Sequence, residues 1–167
     1  MVREIKTYPD PVLEAKAEPI ETITDDVKVL AKDMAETMYE NNGIGLAAPQ
    51  VGRSCRLIIV DISGPEHRQD LKVVLNPCID FKDGQAEIEE GCLSLPGFKT
   101  KVTRAEKVTL TGLDLEGQEI SIQAEGLLAV CLQHELDHLE GTVLLDHTSW
   151  LKRSMYCKKM KKCQKKT

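Results

Sequence analysis

Residues 125–141 read EGLLAVCLQHELDHLEG. Apolar residues at 127, 128, 130, 131, 132, 136 and 139 cover most of the circumference of a helix, so a largely buried helix is predicted between Glu125 and Glu140, with Gly141 as its stop. At its centre stands His-Glu-Leu-Asp-His, 134–138. Histidines at i and i+4 project from one face about 6 Å apart at Cβ, close enough for both rings to reach one cation, and Glu135 lies beside them where it can take a proton from water. The same pattern arises by chance in amphipathic helices. Its setting favours metal: two rings and two carboxylates on a helix otherwise clad in Leu, Val and Cys are costly unless paired or liganded.

A catalytic ion needs a third ligand and an open position. A third histidine six residues after His138, as in metzincins, is absent because position 144 is Leu, although Gly141 fits. A downstream glutamate is absent as well, since no acid follows Asp146. The third ligand is therefore sought upstream, and Cys92, within Glu90–Gly97 (EGCLSLPG), is the best candidate because the glycine lets the backbone bend around a strong thiolate donor. Cys131 is its rival, one turn before His134; crowding on a single helix argues that it is pocket wall instead. Cys55, Cys78, Cys157 and Cys163 read as packing or surface thiols, and His67 and His147 as solvent-facing.

Outward from this helix, residues 25–40 place apolar side chains at helical spacing, with Thr24 as N-cap and Asn41, Asn42 and Gly43 suited to ending the helix. Strands are predicted at 55–60, 71–77, 86–90, 107–113 and 118–124, the last two joined by a hairpin at Asp114–Gly117. The expected fold is α+β, with mostly antiparallel sheet.

With 167 residues, 41% hydrophobic and 29% charged, the chain suits a single catalytic domain, 1–167, large enough to bury a core without a structural metal. The first sixteen residues lack an apolar run and no stretch approaches a membrane span, so a cytoplasmic protein with six reduced cysteines is expected. The net charge of -5 hides a division: residues 150–167 carry eight Lys/Arg and no acid, leaving -13 on residues 1–149. This basic tail is predicted to be helical, with Trp150, Leu151, Met155 and Met160 toward the body. It is either a solvated terminus or a surface drawn to polyanions.

Three segments, GIGLAAPQ at 43–50, EGCLSLP at 90–96 and QHELDHLEG at 133–141, resemble the peptide deformylases in order and spacing. The resemblance extends over essentially the whole chain, including YPDPVL at 8–13 and TRAEKV at 103–108; GPEHRQDLK at 64–72 and the Lys/Cys-rich tail depart from it. It implies antiparallel sheets around a central helix bearing HExxH, a C-terminal helix, and hydrolysis of the N-formyl group of formyl-methionine on nascent polypeptides. It further implies that Cys92, His134 and His138 bind one divalent ion, ferrous iron with Ni, Co or Zn as substitutes. Glu135 would be the acid/base, with Gln50 and the Leu93 N–H as oxyanion donors. Ile44, Gly45, Ile88, Glu90, Leu127, Val130 and Cys131 would line the methionine pocket, and Arg104 would pair with Glu90 to brace the Cys92 loop. The partners implied are formylated nascent chains and, through the tail, the ribosome; the enzyme would be a monomer. Two other readings remain: a peptidase cutting an internal amide, and a metal-stabilised module that binds N-terminal methionine without turnover. The acid/base and oxyanion residues argue against the second.

Overall fold

The computed structural model describes the backbone of residues 1–165 and the side chains of residues 1–162; the Cys163 side chain lies outside the described residues. Helices are α1 (Asp25–Glu40), the single turn α2 (Gly64–His67), α3 (Gly126–Leu139) and α4 (Trp150–Lys165), and the strands are β1 (Gly45–Ala47), β2 (Leu57–Val60), β3 (Lys72–Asp83), β4 (Ala86–Cys92), β5 (Leu95–Arg104), β6 (Lys107–Leu113) and β7 (Glu119–Glu125). Five strands form an antiparallel sheet in the order β1-β2-β3-β6-β7, and β4 pairs with β5 in a separate hairpin. The α+β expectation is met.

β2 explains the layering. Its four residues are all buried, because Leu57 and Ile59 face α1 while Ile58 and Val60 face α3. A strand covered on both faces needs a continuous apolar run, and LIIV supplies one. On one side Leu30, Met34 and Met38 of α1 pack on Leu57, Ile59 and Leu75; on the other Ala129 and Leu132 of α3 meet Ile58, Val74 and Leu110. Each fully buried Leu or Ile here contributes roughly 1.5–3 kcal/mol. A third cluster, Leu13, Leu95, Phe98, Val102, Leu144, Leu145 and Tyr156, joins the hairpin to the N-terminal segment and α4.

Several local readings are corrected. Thr24 occupies the N-cap position in extended conformation, but its hydroxyl makes no capping bond; its carbonyl accepts from Val27 and Lys28. β3 runs six residues beyond Pro77, through a left-handed Asn76 and a register shift. β5 was not predicted as a strand. On α4, Trp150, Leu151 and Met155 are 78%, 64% and 63% exposed, so they do not face the body. Tyr156 does so instead, edge-on to Phe98 with its hydroxyl donating to the Pro96 carbonyl, alongside Cys157 and Met160. Met160 alone of the four expected residues packs inward. No helix among the described residues is long and apolar enough to cross a membrane.

Candidate metal centre

The buried length of α3 places His134 and His138 one turn apart, with ring centroids 5.0 Å apart and Nε2 atoms separated by 3.2 Å. Cys92 arrives from the hairpin: the register between β4 and β5 shifts at Gly91/Cys92, bending the strand end toward the helix. Its Sγ lies 3.4 Å from His138 Nε2, and the ligand atoms of all three residues lie within 4.8 Å of one another. The 3.2 and 3.4 Å separations are close to those between ligands of one tetrahedral ion, roughly 3.3–3.6 Å for bonds of about 2.0–2.3 Å. The three donors fit a metal.

A carboxylate orients one of the three donors, His134. Glu90 Oε1 lies 2.9 Å from His134 Nδ1; an ionised carboxylate only accepts, so Nδ1 carries a proton and Nε2 is turned toward the cluster. Glu90 is gripped by Arg104, whose Nε and Nη2 donate at 2.9 Å each, and Arg104 Nη1 donates to Asp137 at 2.6 Å. Burial alone would raise the Glu90 carboxyl, but Arg104 and His134 hold it at about 2. Burial likewise opposes the Arg104 charge, yet Glu90 and Asp137 keep it above the usual arginine range.

Burial opposes a charge on His134 too, but Cys92 and Glu90 raise its pKa; burial and the neighbouring His134 push His138 down and leave it neutral. A setting that draws positive charge to His134 while leaving His138 a free lone pair suits a cation. Burial also pushes the Cys131 thiol up, which keeps it a wall rather than a thiolate.

Glu135 is 3% exposed, and burial raises its carboxyl to about 7. Its Oε2 has no hydrogen-bond partner among the described residues. A buried carboxylate oxygen without a partner is costly, and poised near neutrality it can both accept and return a proton. Gly45 makes room for it: a Cβ there would lie 2.8 Å from Cys131 Sγ and closer still to Glu135 Oε1.

These groups open onto a cavity of about 690 Å³, within the range of small-ligand sites. Ile44, Gly45, Ile88, Leu127, Val130 and Cys131 line it together with Gln50, Glu90, Cys92, Leu93, His134 and Glu135. His138 is almost wholly buried, and Arg104 stands behind Glu90. Gln50 is oriented by accepting from the Ala47 N–H, which turns its Nε2 toward Ser94 Oγ at 3.1 Å and Cys92 Sγ at 3.6 Å. Sequence reasoning missed Ser94, the outer cavity residues Phe98 and Lys99, and Asp137 as the second partner of Arg104. The last had a signal, since it is the acid inside His-Glu-Leu-Asp-His. His147 is exposed as expected, but its Nε2 meets Asp137 Oδ2 at 2.8 Å.

Two imidazoles and a thiol, converging beneath an apolar cleft beside an unpaired acid, define a hydrolase of the mononuclear metal-dependent class. Residues 2–154 match the family model of polypeptide deformylase. The chain is 55% identical to the peptide deformylase of Thermodesulfovibrio yellowstonii over 160 residues, covering 96% of this chain and 97% of that one. The crystal structure of a peptide deformylase from Legionella pneumophila superposes with a TM-score of 0.92 at 45% identity, over 99% of this chain and 96% of that one. That of Thermus thermophilus gives 0.86 at 42% identity, over 95% and 92%. The chain belongs to the peptide deformylase family, metal-dependent enzymes that remove the N-formyl group from nascent polypeptides.

Proposed function

We propose that Cys92, His134 and His138 hold a single divalent ion, ferrous iron in the first instance with Ni, Co or Zn able to replace it, and that residues 1–167 act as one catalytic domain. The observation that carries this reading is the convergence of three ligand atoms beside the partnerless Oε2 of Glu135. A divalent ion held there supplies Lewis acidity, lowering the pKa of water toward neutrality and polarising a carbonyl. Glu135 takes the proton of the attacking water and returns it to the leaving amine. Its pKa of about 7 suits both transfers. Gln50 Nε2 and the Leu93 N–H stabilise the formyl oxygen as it gains charge, by about 3–4 kcal/mol per donor.

The methionine side chain occupies the pocket of Ile44, Gly45, Ile88, Glu90, Leu127, Val130 and Cys131. This lining is mostly apolar, as a thioether requires, and the one ion in it, Glu90, is neutralised by Arg104. Downstream residues of the peptide lie along β1, which is a terminal strand of its sheet and so has an edge available for pairing. The reading is tested by formate release from a formyl-methionyl peptide under anaerobic conditions. Turnover is expected from the wild type, and none from Glu135→Ala or from metal-stripped protein; internal cleavage of unformylated peptides would favour the peptidase reading. Full activity after prolonged exposure to air would count against iron.

The enzyme acts in the cytoplasm as a monomer. Its basic tail supports attraction to ribosomal RNA: on α4 the exposed Trp150, Leu151 and Met155 stand among lysines, a combination of stacking surface and charge. Replacing the exposed Lys158, Lys159, Lys161 and Lys162 with Gln, which keeps the packed Tyr156, should reduce ribosome association in a salt-dependent manner while sparing turnover of small peptides; undiminished ribosome binding would reject this role.

A further inference from the structure

Beyond the metal ligands and their carboxylate, a chain of polar contacts continues to the protein surface. His134 Nδ1 meets Glu90 Oε1 at 2.9 Å, Glu90 is held by Arg104 at 2.9 Å twice, Arg104 Nη1 meets Asp137 Oδ2 at 2.6 Å, and the same oxygen lies 2.8 Å from His147 Nε2. The middle of this chain is sequestered, with the side chains of Arg104 and Glu90 only 5% and 7% exposed, whereas those of Asp137 and His147 are 30% and 29% exposed. Arg104 is therefore fixed on its buried side by two bonds to one carboxylate. On its outer side it depends on an acid that borders water.

An aspartate so placed keeps its orientation only if something restrains it. Its carboxylate accepts, so the bond to His147 requires a proton on Nε2, a condition that the neutral and the charged ring both meet. His147 is itself anchored, because it ends the helical turn Leu144–His147, whose Leu144 and Leu145 are buried in the third core cluster. The next residue, Thr148, bonds Thr100 on β5, four positions before Arg104. The outer end of the chain, next to Thr148, and its central arginine are thus tied to the same strand.

We propose that His147 is a positioning residue for the metal centre. Through Asp137, Arg104 and Glu90 it holds the His134 ring with Nε2 toward Cys92 and His138, which slows loss of the ion. The inference rests on the assignment of Cys92, His134 and His138 as ligands.

The test loads wild type, His147→Ala, His147→Gln and Arg104→Ala with cobalt(II) and follows its visible absorption during transfer to excess chelator. Partners that bond directly to a ligand change metal affinity by about 10–100-fold, so a residue three contacts further out should act more weakly, about 3- to 10-fold in dissociation rate for His147→Ala. His147→Gln, whose amide can donate where Nε2 did, should return most of the wild-type rate. A dissociation rate for His147→Ala equal to that of wild type would overturn the proposal. So would a lower melting temperature of the metal-free variant with no change in dissociation, because His147 would then serve only the fold. The two levels of failure separate: if wild type takes up no stoichiometric cobalt the ligand assignment falls, whereas fast loss from Arg104→Ala with normal His147→Ala refutes the His147 role alone.

Discussion

Helices α3 and α4 have similar lengths, 14 and 16 residues, and opposite arrangements of polarity. α3 carries Gln133, Glu135 and His138 into the core, while α4 holds Trp150, Leu151 and Met155 out in solvent. In α3 every misplaced polar group has a partner or joins the ligand cluster, except for two atoms, Glu135 Oε2 and His138 Nδ1. Gln133 bonds the backbone of Ala105 and Ala129, the Nε2 of His138 joins Cys92 and His134, and Glu135 is the one carboxylate there with an unpaired buried oxygen among the described residues. In α4 the exposed apolar groups have no such internal account, and the helix attaches through the opposite face. Buried polarity thus marks the site, whereas exposed apolarity marks a surface whose contribution to folding is small.

The largest expected effect breaks the first half of the comparison. Glu135→Gln should lower kcat by about 10²–10⁴-fold, as loss of a general acid/base does. The same change should stabilise the metal-free protein in mild alkali: Glu135 titrates at about 7 against an ordinary 4.5, so the fold favours its neutral form and loses stability as pH rises through 7. A melting temperature at pH 8 that is no higher than wild type would contradict this account. Arg104→Ala comes next. It strands the buried Glu90 carboxylate, at a cost of about 3–5 kcal/mol in urea unfolding, together with weakened metal retention; unchanged metal content and activity would refute the bracing role.

The Glu90 pair can also be approached through pH. Its folded pKa of about 2 lies below the ordinary 4.5, so its stabilisation is complete above about 4.5 and lost as pH falls toward 2. The loss should appear as a fall in unfolding free energy of the metal-free chain below about pH 4.5, and the Glu90→Gln variant should lack that part of the slope. On α4, Tyr156→Ala should cost about 3 kcal/mol by emptying the space against Phe98. Smallest of all, Trp150→Ala, Leu151→Ala and Met155→Ala should each lie within about 0.5 kcal/mol of wild type in chemical denaturation. A large loss there would show that the outer face of α4 is covered after all.

Legibility in the sequence followed the same division. α3, α1 and β6 were read nearly to the residue because their periodicity is carried by apolar side chains and their ends by Gly141, Asn42 and Asp114–Gly117. The donor set was legible too, since Cys92 was the upstream residue with both the right chemistry and a flexible neighbour. β5 escaped because its inward positions alternate as Phe98, Thr100, Val102 and Arg104, so that half of its buried face is polar. The far half of β3 escaped because Asn76 and Pro77 imitate a strand end. On α4, Trp150, Leu151 and Met155 outweighed Tyr156 on hydrophobicity, but the aromatic ring of Phe98 and the carbonyl of Pro96 select the tyrosine face. No local pattern contains that pairing. The chain from His134 to His147 was equally hidden, since it joins four separate stretches of sequence.

β1 is three residues long and borders its sheet. An extended polypeptide laid against such a margin is read through amide and carbonyl groups that nearly every residue shares, so the register is checked while side-chain identity is ignored. On the proposed reading, discrimination would then fall on the apolar pocket beside the candidate metal centre. A protein that worked in this way could process countless different chains on the strength of one common first residue.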